Sequence, residues 1–301
     1  MPQQPPEQLV FIPSTNNVSL EARIGVPCTS TTARKDICLI LTHPYGKLGG
    51  NLQNNVVEAL RHSFSKEFIT VRFNFRGVGQ STGRGSFSGS GEVDDLASVC
   101  KYVKARVDLN PKYFVLVGYS YGTIPVCALS SELEGCIGVV AISFPASVMW
   151  FLTMGNGNKY IDALRACPQS TPKLLIMGDC DNFTGIKAFQ QFADTVPERK
   201  KIEIVDGMDH FWFDREDALV ECIRKWLRSE KVVPEKTKGT PLPPLGHVRN
   251  AQPPMTTLRA AKSVDSLHAS SGNVNQVCKV SKTQSDVMES SDTLKESCDL
   301  S

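Results

Sequence analysis

From Lys35 onward the sequence alternates short, continuous apolar runs with longer stretches whose apolar residues recur at helical spacing. Few architectures satisfy that alternation. Residues 37–42, 68–75, 113–117, 136–142, 173–177 and 201–205 read as strands, and residues 54–64, 92–107 and 121–129 as helices. In 92–107, Val93, Leu96, Cys100, Val103 and Val107 fall on one helical face. Leu219, Cys222, Ile223, Trp226 and Leu227 follow the i, i+3, i+4, i+7, i+8 rule of an amphipathic closing helix. Strand runs that are apolar at nearly every position fit a sheet covered on both faces. Strands joined through helices cross over to parallel neighbours. Two further strands, 9–12 and 18–26, meet around Asn16-Asn17, residues that tolerate the positive φ of a tight turn. The expected class is α/β: a mostly parallel eight-stranded sheet with helices on both faces, ending near Glu230.

The composition changes beyond that point. After Trp226 there is no Phe, Tyr or Trp, and residues 233–301 are rich in Ser, Thr, Pro, Lys and Gln. Such a segment cannot bury enough apolar surface to offset its ordering entropy. The expected organisation is a folded domain over 1–232 and a disordered Ser/Thr/Pro-rich tail over 233–301. Within the tail, Lys238 stands three residues before Pro241 in the run Pro241-Leu242-Pro243-Pro244-Leu245, a pattern that resembles an SH3-type ligand. A solvated linker with incidental prolines is the commoner state of such a run.

The net charge of +2 is near balance, and no basic cluster is interleaved with aromatics, which argues against nucleic-acid partners. No apolar run approaches the roughly 20 residues needed to span a bilayer. The residues after Met1 lack the basic and apolar regions of a signal peptide. The ten cysteines include no C-x-x-C pair, and Cys38, Cys127 and Cys222 lie on apolar faces. They read as small buried hydrophobes in a reduced, cytoplasmic setting, with neither disulfides nor a zinc site.

Chemistry concentrates at Gly118-Tyr119-Ser120-Tyr121-Gly122, between an apparent strand and an apparent helix. A serine in such a sharp turn has its hydroxyl pushed clear of the backbone, and the flanking glycines let strand and helix approach. A serine hydroxyl needs a base, and the base needs an orienting acid. Of the three histidines before residue 233, His210 alone follows the last strand, on the loop before the closing helix. In a parallel sheet that is the same edge as Ser120. The acid is expected at the strand end between them, where Asp179 and Asp181 compete. Asp181 lies further beyond the strand and is preferred, with Asp179 as a brace for the loop. Asp206 and Asp209 are expected to shape the histidine turn. Cys180 lies close by as an oxidation-sensitive thiol.

Together these motifs resemble the α/β-hydrolase superfamily over residues 8–230. The order Ser…Asp…His is that of the superfamily. Leu41-Thr42-His43-Pro44-Tyr45-Gly46 resembles its His-Gly-X loop, with Pro44 in place of the usual glycine. Phe73-Asn74-Phe75-Arg76-Gly77-Val78-Gly79-Gln80-Ser81 resembles its D-x-R-G-x-G-x-S loop, in which Arg76 is expected to brace a glycine turn. His43 to Val57 also resembles an H-P-x-x…G-G…N-x-V-V pattern of small bacterial-type hydrolases. The resemblance implies the α/β-hydrolase fold, with Ser120 as nucleophile, His210 as base, Asp181 as acid, and the backbone N–H groups of Tyr45 and Tyr121 as oxyanion donors. It implies no cofactor and no metal.

Many members of that superfamily carry a cap domain after the sixth strand. Residues 144–172 leave room here for only a helix or two. Val148, Met149, Trp150, Phe151, Leu152 and Met154 make that stretch apolar, as a helix packed on the sheet or as a small acyl-binding wall. The implied activity is a serine hydrolase of the carboxylesterase or thioesterase kind, acting on a small-molecule acyl substrate. A peptidase, an acyltransferase, or a non-catalytic interaction protein with a partner-recruiting tail are the alternatives.

Overall fold

In the computed structural model, which describes residues 6–28 and 32–234, eight strands form one sheet. They are β1 (Glu7–Pro13), β2 (Ser19–Gly25), β3 (Arg34–Thr42), β4 (Phe68–Phe73), β5 (Tyr113–Tyr119), β6 (Cys136–Ile142), β7 (Lys173–Gly178) and β8 (Lys200–Val205). The helices are α1 (Asn55–Phe64), α2 (Ser90–Ala105), α3 (Thr123–Leu129), α4 (Met149–Thr153), α5 (Gly157–Ala166), α6 (Ile186–Thr195) and α7 (Glu216–Ser229). The spatial order is β1-β2-β4-β3-β5-β6-β7-β8. β1 pairs antiparallel with β2, and β2 antiparallel with β4, while every other pairing is parallel.

Strand alternation distributes the apolar residues between two cores. On one face Cys38, Ile40, Leu116, Val139 and Leu175 pack with Leu96 and Val99 of α2 and with Phe189 of α6. On the other Leu39, Leu41, Val115, Val117, Val140 and Ile176 pack with Val56, Val57 and Leu60 of α1 and with Leu219, Ile223 and Trp226 of α7. Both faces are buried, so the central strands carry apolar residues at consecutive positions.

The order also fixes where a site can form. From β3 the chain passes through α1 to β4 on one side, and from β5 through α3 to β6 on the other. The neighbouring strands β3 and β5 therefore send their following loops apart, which opens a crevice at their carboxyl ends.

Three details differ from expectation. The helix expected over 92–107 runs from Ser90 to Ala105, behind Gly89 in a left-handed conformation. Its chain leaves the helix at Arg106, whose carbonyl accepts from Asn110 N, so Val107 is 96% exposed and Val99 takes its place in the core. The helix after Ser120 begins with a 3-10 turn, Ser120–Gly122, before α3. Past the closing helix, Val232 is buried, Val233 packs against the core and the Pro234 carbonyl accepts from Arg34 at 2.5 Å. Those last contacts lie beyond the expected boundary at residue 232. The polyproline pattern and the rest of the expected tail lie outside the described residues. No helix among the described residues is long and apolar enough to cross a membrane.

Arg76, expected to brace its loop, donates Nε to Asp95 Oδ2 at 3.0 Å and Nη2 to Asp95 Oδ1 at 2.7 Å. The Arg76 backbone N–H donates to the same carboxylate at 2.9 Å. Asp95 is fully buried and Arg76 is 7% exposed. Removing one member of such a pair strands the other charge. Arg76→Ala is expected to cost about 3–5 kcal/mol of stability, read as a lower urea midpoint. A loss under about 1 kcal/mol would mean that the pair does not hold the loop.

Candidate active site

Ser120 follows β5 with φ of 53°, a left-handed conformation that a non-glycine residue adopts only when its surroundings impose it. The surroundings are tight. A Cβ on Gly118 would come within 2.6 Å of Thr123 Cα, and one on Gly122 within 2.7 Å of the His43 carbonyl oxygen. Both positions therefore require glycine. Thr42 Oγ1 donates to the Gly122 carbonyl at 2.9 Å, and Thr123 Oγ1 to the Ser120 carbonyl at 2.6 Å. The turn is thus tied to the end of β3.

His210 lies on the loop after β8, with Nε2 2.9 Å from Ser120 Oγ and Nδ1 2.7 Å from Asp181 Oδ2. An ionised carboxylate can only accept, so Nδ1 carries the proton and Nε2 is left to accept from the serine hydroxyl. The other Asp181 oxygen accepts from the N–H groups of Phe183 at 2.8 Å and Thr184 at 2.9 Å. Asp181 is 7% exposed and His210 4% exposed. Asp179 instead accepts from Met208 N at 3.2 Å, on the histidine loop. Asp209 accepts from Phe211 N and Trp212 N and shapes the turn. Cys180 is exposed, but a hydrogen bond to the Asp179 carboxylate raises its thiol pKa. That shift works against the thiolate that oxidation requires.

Tyr45 and Tyr121 flank the crevice, their rings 4.9 Å apart. Neither amide N–H donates to a backbone carbonyl in the turns and loops of the described residues. His43 is fully buried and donates Nδ1–H to the Pro44 carbonyl at 2.6 Å, while its Nε2 accepts from Phe75 N at 3.0 Å. It joins the loops after β3 and β4 and does not reach Ser120 by any hydrogen bond. Asn74 donates to Glu21 Oε2 at 2.7 Å and accepts from Leu52 N at 2.8 Å. The 144–172 stretch forms α4 and α5. Met149 and Leu152 are buried while Trp150 and Phe151 are 72% and 70% exposed, so one short helix both packs inward and presents an outer apolar face.

Two residues at the site escaped the sequence reading. Tyr119 Oη donates to the His210 carbonyl at 2.9 Å, with its ring 5.8 Å from the imidazole. Trp212, fully buried at φ of 60°, donates its indole N–H to Ser143 Oγ at 2.9 Å. The signal for Tyr119 lay in strand alternation, which puts it on the same face as Val115 and Val117, under the histidine loop. Among the described residues no group of three or more His, Cys, Asp or Glu side chains could hold a metal ion.

Comparison with solved structures identifies the fold. The chain superposes on a lidless α/β serine hydrolase from Xanthomonas campestris with a TM-score of 0.62 and 23% identity, over 76% of this chain and 96% of that one. A putative α/β hydrolase from Agrobacterium tumefaciens matches with a TM-score of 0.61 and 26% identity, over 73% and 94%. The Pyrococcus furiosus esterase Pf2001 matches at 0.60 and 18%, over 74% and 92%. The chain thus has the α/β-hydrolase fold. Among curated sequences, an uncharacterized protein of Rickettsia prowazekii is 26% identical over 215 residues, which cover 69% of this chain and 85% of that protein. The uncharacterized protein YfhR of Salmonella typhimurium is 30% identical over 158 residues, about half of its own length (53%) and 46% of this chain. No family model matches the chain.

Two outcomes test the site's construction. Tyr119→Phe leaves the buried His210 carbonyl without its donor, so it is expected to cost about 1–3 kcal/mol and to speed hydrogen exchange in residues 207–214. Unchanged exchange there would show that the loop is held without Tyr119. Burial lowers the His43 pKa from 6.5 to about 4. Its unfolded form takes up a proton that its folded form refuses, so this contribution is present above pH 6.5 and lost as pH falls toward 4. The loss is on the order of 3 kcal/mol between pH 7 and pH 4, and it is read as the excess acid sensitivity of wild type over His43→Gln in urea titrations. Parallel curves for the two proteins would contradict it.

Proposed function

We propose that the protein is a serine hydrolase that cleaves an ester, thioester or related acyl bond through an acyl-enzyme. The observation that supports this most is the unbroken hydrogen-bond chain from Ser120 Oγ through His210 to Asp181, at 2.9 and 2.7 Å. As the serine oxygen attacks the substrate carbonyl, His210 Nε2 takes the hydroxyl proton and becomes an imidazolium stabilised by Asp181. The carbonyl oxygen becomes an oxyanion, facing the N–H groups of Tyr45 and Tyr121. Collapse of the tetrahedral intermediate breaks the bond to the leaving group, which receives the proton from His210. Water then attacks the acyl-serine by the same sequence, with His210 again as base, and releases the acid.

The fold it shares with serine hydrolases and esterases fits this reading, as does the scarcity of covering structure over the edge of the sheet. Asp181 is the acid because its two oxygens divide the work: one receives the imidazole N–H and the other is held by two backbone amides. The hydrolase domain includes Val233 and Pro234, and the sequence beyond them is dispensable for the chemistry.

A fluorophosphonate probe is expected to label the wild type on Ser120. Ser120→Ala abolishes labelling, His210→Ala reduces it at least about 10³-fold, and Asp181→Asn slows it by about 10³–10⁴. Failure of the folded wild type to label would remove the hydrolase reading, and labelling that survives Ser120→Ala would remove the nucleophile.

A further inference from the structure

A cleft of about 430 Å³ lies between the turn after β3 and the loop after β4, and the triad makes no use of its chemistry. Its size is that of a small-ligand site. Tyr45, Phe75, Val78 and Phe87 give it apolar walls, and Lys47 Nζ sits 4.1 Å from the centre of the Phe87 ring. Two polar groups stand among them. Tyr121 is 2% exposed, and its hydroxyl stands beside the Glu92 carboxylate without completing a well-formed hydrogen bond to it or to any other group. A buried polar group left unpaired costs about 1–3 kcal/mol and calls for an explanation. Glu92 is 3% exposed and, besides the neighbouring Tyr121 hydroxyl, meets Ser86, accepting from its backbone N–H at 2.8 Å and from its hydroxyl. No cation among the described residues forms an ion pair with it, since Arg76, which also lines the cleft, is held by Asp95.

These two groups are complementary. Burial, followed by the Glu92 charge and the hydrogen-bonding interaction with that carboxylate, pushes the Tyr121 pKa up, so the phenol remains a donor. Glu92 retains lone pairs beyond the two that Ser86 uses. A ligand group that can accept from one and donate to the other satisfies both, and a hydroxyl does so. An ammonium would meet Lys47, Arg76 and Arg84 in the same lining, and a carboxylate would meet Glu92. The cleft also has a side. Tyr45 and Tyr121 line it, whereas neither His210 nor any residue of its loop does. The leaving group must depart toward His210, which protonates it, so a group in this cleft belongs to the acyl half of the substrate.

We propose that this cleft is an acyl subsite for a neutral, hydroxyl-bearing acyl group whose hydroxyl accepts from Tyr121 Oη and donates to the Glu92 carboxylate. The assignment rests on the serine-hydrolase reading above. It is tested with p-nitrophenyl esters of phenylacetic, phenylpropanoic and phenylbutanoic acids, each with and without a para hydroxyl. Within a pair only that hydroxyl differs. For at least one chain length, wild-type kcat/KM is expected to favour the hydroxylated ester by about 10-fold or more. Tyr121→Phe brings that ratio to within about threefold of unity. Glu92→Gln, which converts one acceptor into a donor, also lowers it. Equal rates within all three pairs, or a ratio that survives Tyr121→Phe, overturn the proposal. A protein that hydrolyses none of the esters would defeat the hydrolase reading instead. The subsite is then read from calorimetric binding of the matched methyl esters to Ser120→Ala. Tighter binding of a hydroxylated ester, lost on adding Tyr121→Phe, supports the subsite, and equal binding within every pair refutes it.

Discussion

The site depends on one close approach, that of the turn after β5 against the end of β3. Ser120 adopts its left-handed conformation at a cost of roughly 1–2 kcal/mol, and nothing in a serine side chain offsets it. The offset comes from the neighbours. Gly118 and Gly122 remove the side chains that would hold helix and strands apart, Thr42 closes a hydrogen bond across the gap so created, and Thr123 closes one within the turn itself. Because β3 and β5 send their chains to opposite sides, the same approach forms the floor of a crevice. A bulkier residue at Gly122 would push the turn away from Thr42 and His43 at the end of β3.

Ser120 and His210 belong to loops 90 residues apart, and their relative position is set by more than their own contact. Tyr119 precedes the serine, and its hydroxyl grips the backbone carbonyl of the histidine. One residue of β5 therefore references His210 to the strand that leads into Ser120. The loop between is fixed at both ends, since Asp179 holds Met208 and Trp212 is pinned to Ser143. Its strained positions, Trp212 and Asp214 at φ near 60°, lie where those anchors concentrate. Local strain persists only where the surroundings over-determine it, and a buried indole with its N–H satisfied is one such constraint.

Most of the fold was legible in the sequence because it is set by local pattern. Consecutive apolar residues specified doubly covered strands, and the spacing from Leu219 to Leu227 specified α7. The left-handed Asn16 and Asn17 were legible from residue type alone. Partner choice was not. Arg76 could be seen as a brace, but its partner Asp95 lies on α2, and which carboxylate faces it depends on how the helix crosses the sheet. Val107 was assigned to the wrong surroundings for a related reason. Periodicity continues through it, whereas the helix stops at Arg106 once the 106–110 turn takes over the backbone bonds. Asp179 and Asp181 are separated by a single residue, and the side chain that meets His210 is decided by the turn after β7, in which Asp181 N donates to the Gly178 carbonyl.

The two buried histidines show how far surroundings outweigh residue type. His43 and His210 both lie at the carboxyl edge of the sheet, and both engage two partners. His43 is held by the backbone alone: it donates to a carbonyl and accepts from an amide. No negative charge stands beside it, so protonation would bury an uncompensated cation and displace the Phe75 N–H. That environment drives its pKa down to about 4 and makes it a neutral strut. His210 has a carboxylate on one nitrogen and a hydroxyl on the other. A proton arriving at Nε2 would give a cation already paired with Asp181. The two imidazoles thus differ in what the fold places at Nδ1, a backbone carbonyl for His43 and a carboxylate for His210.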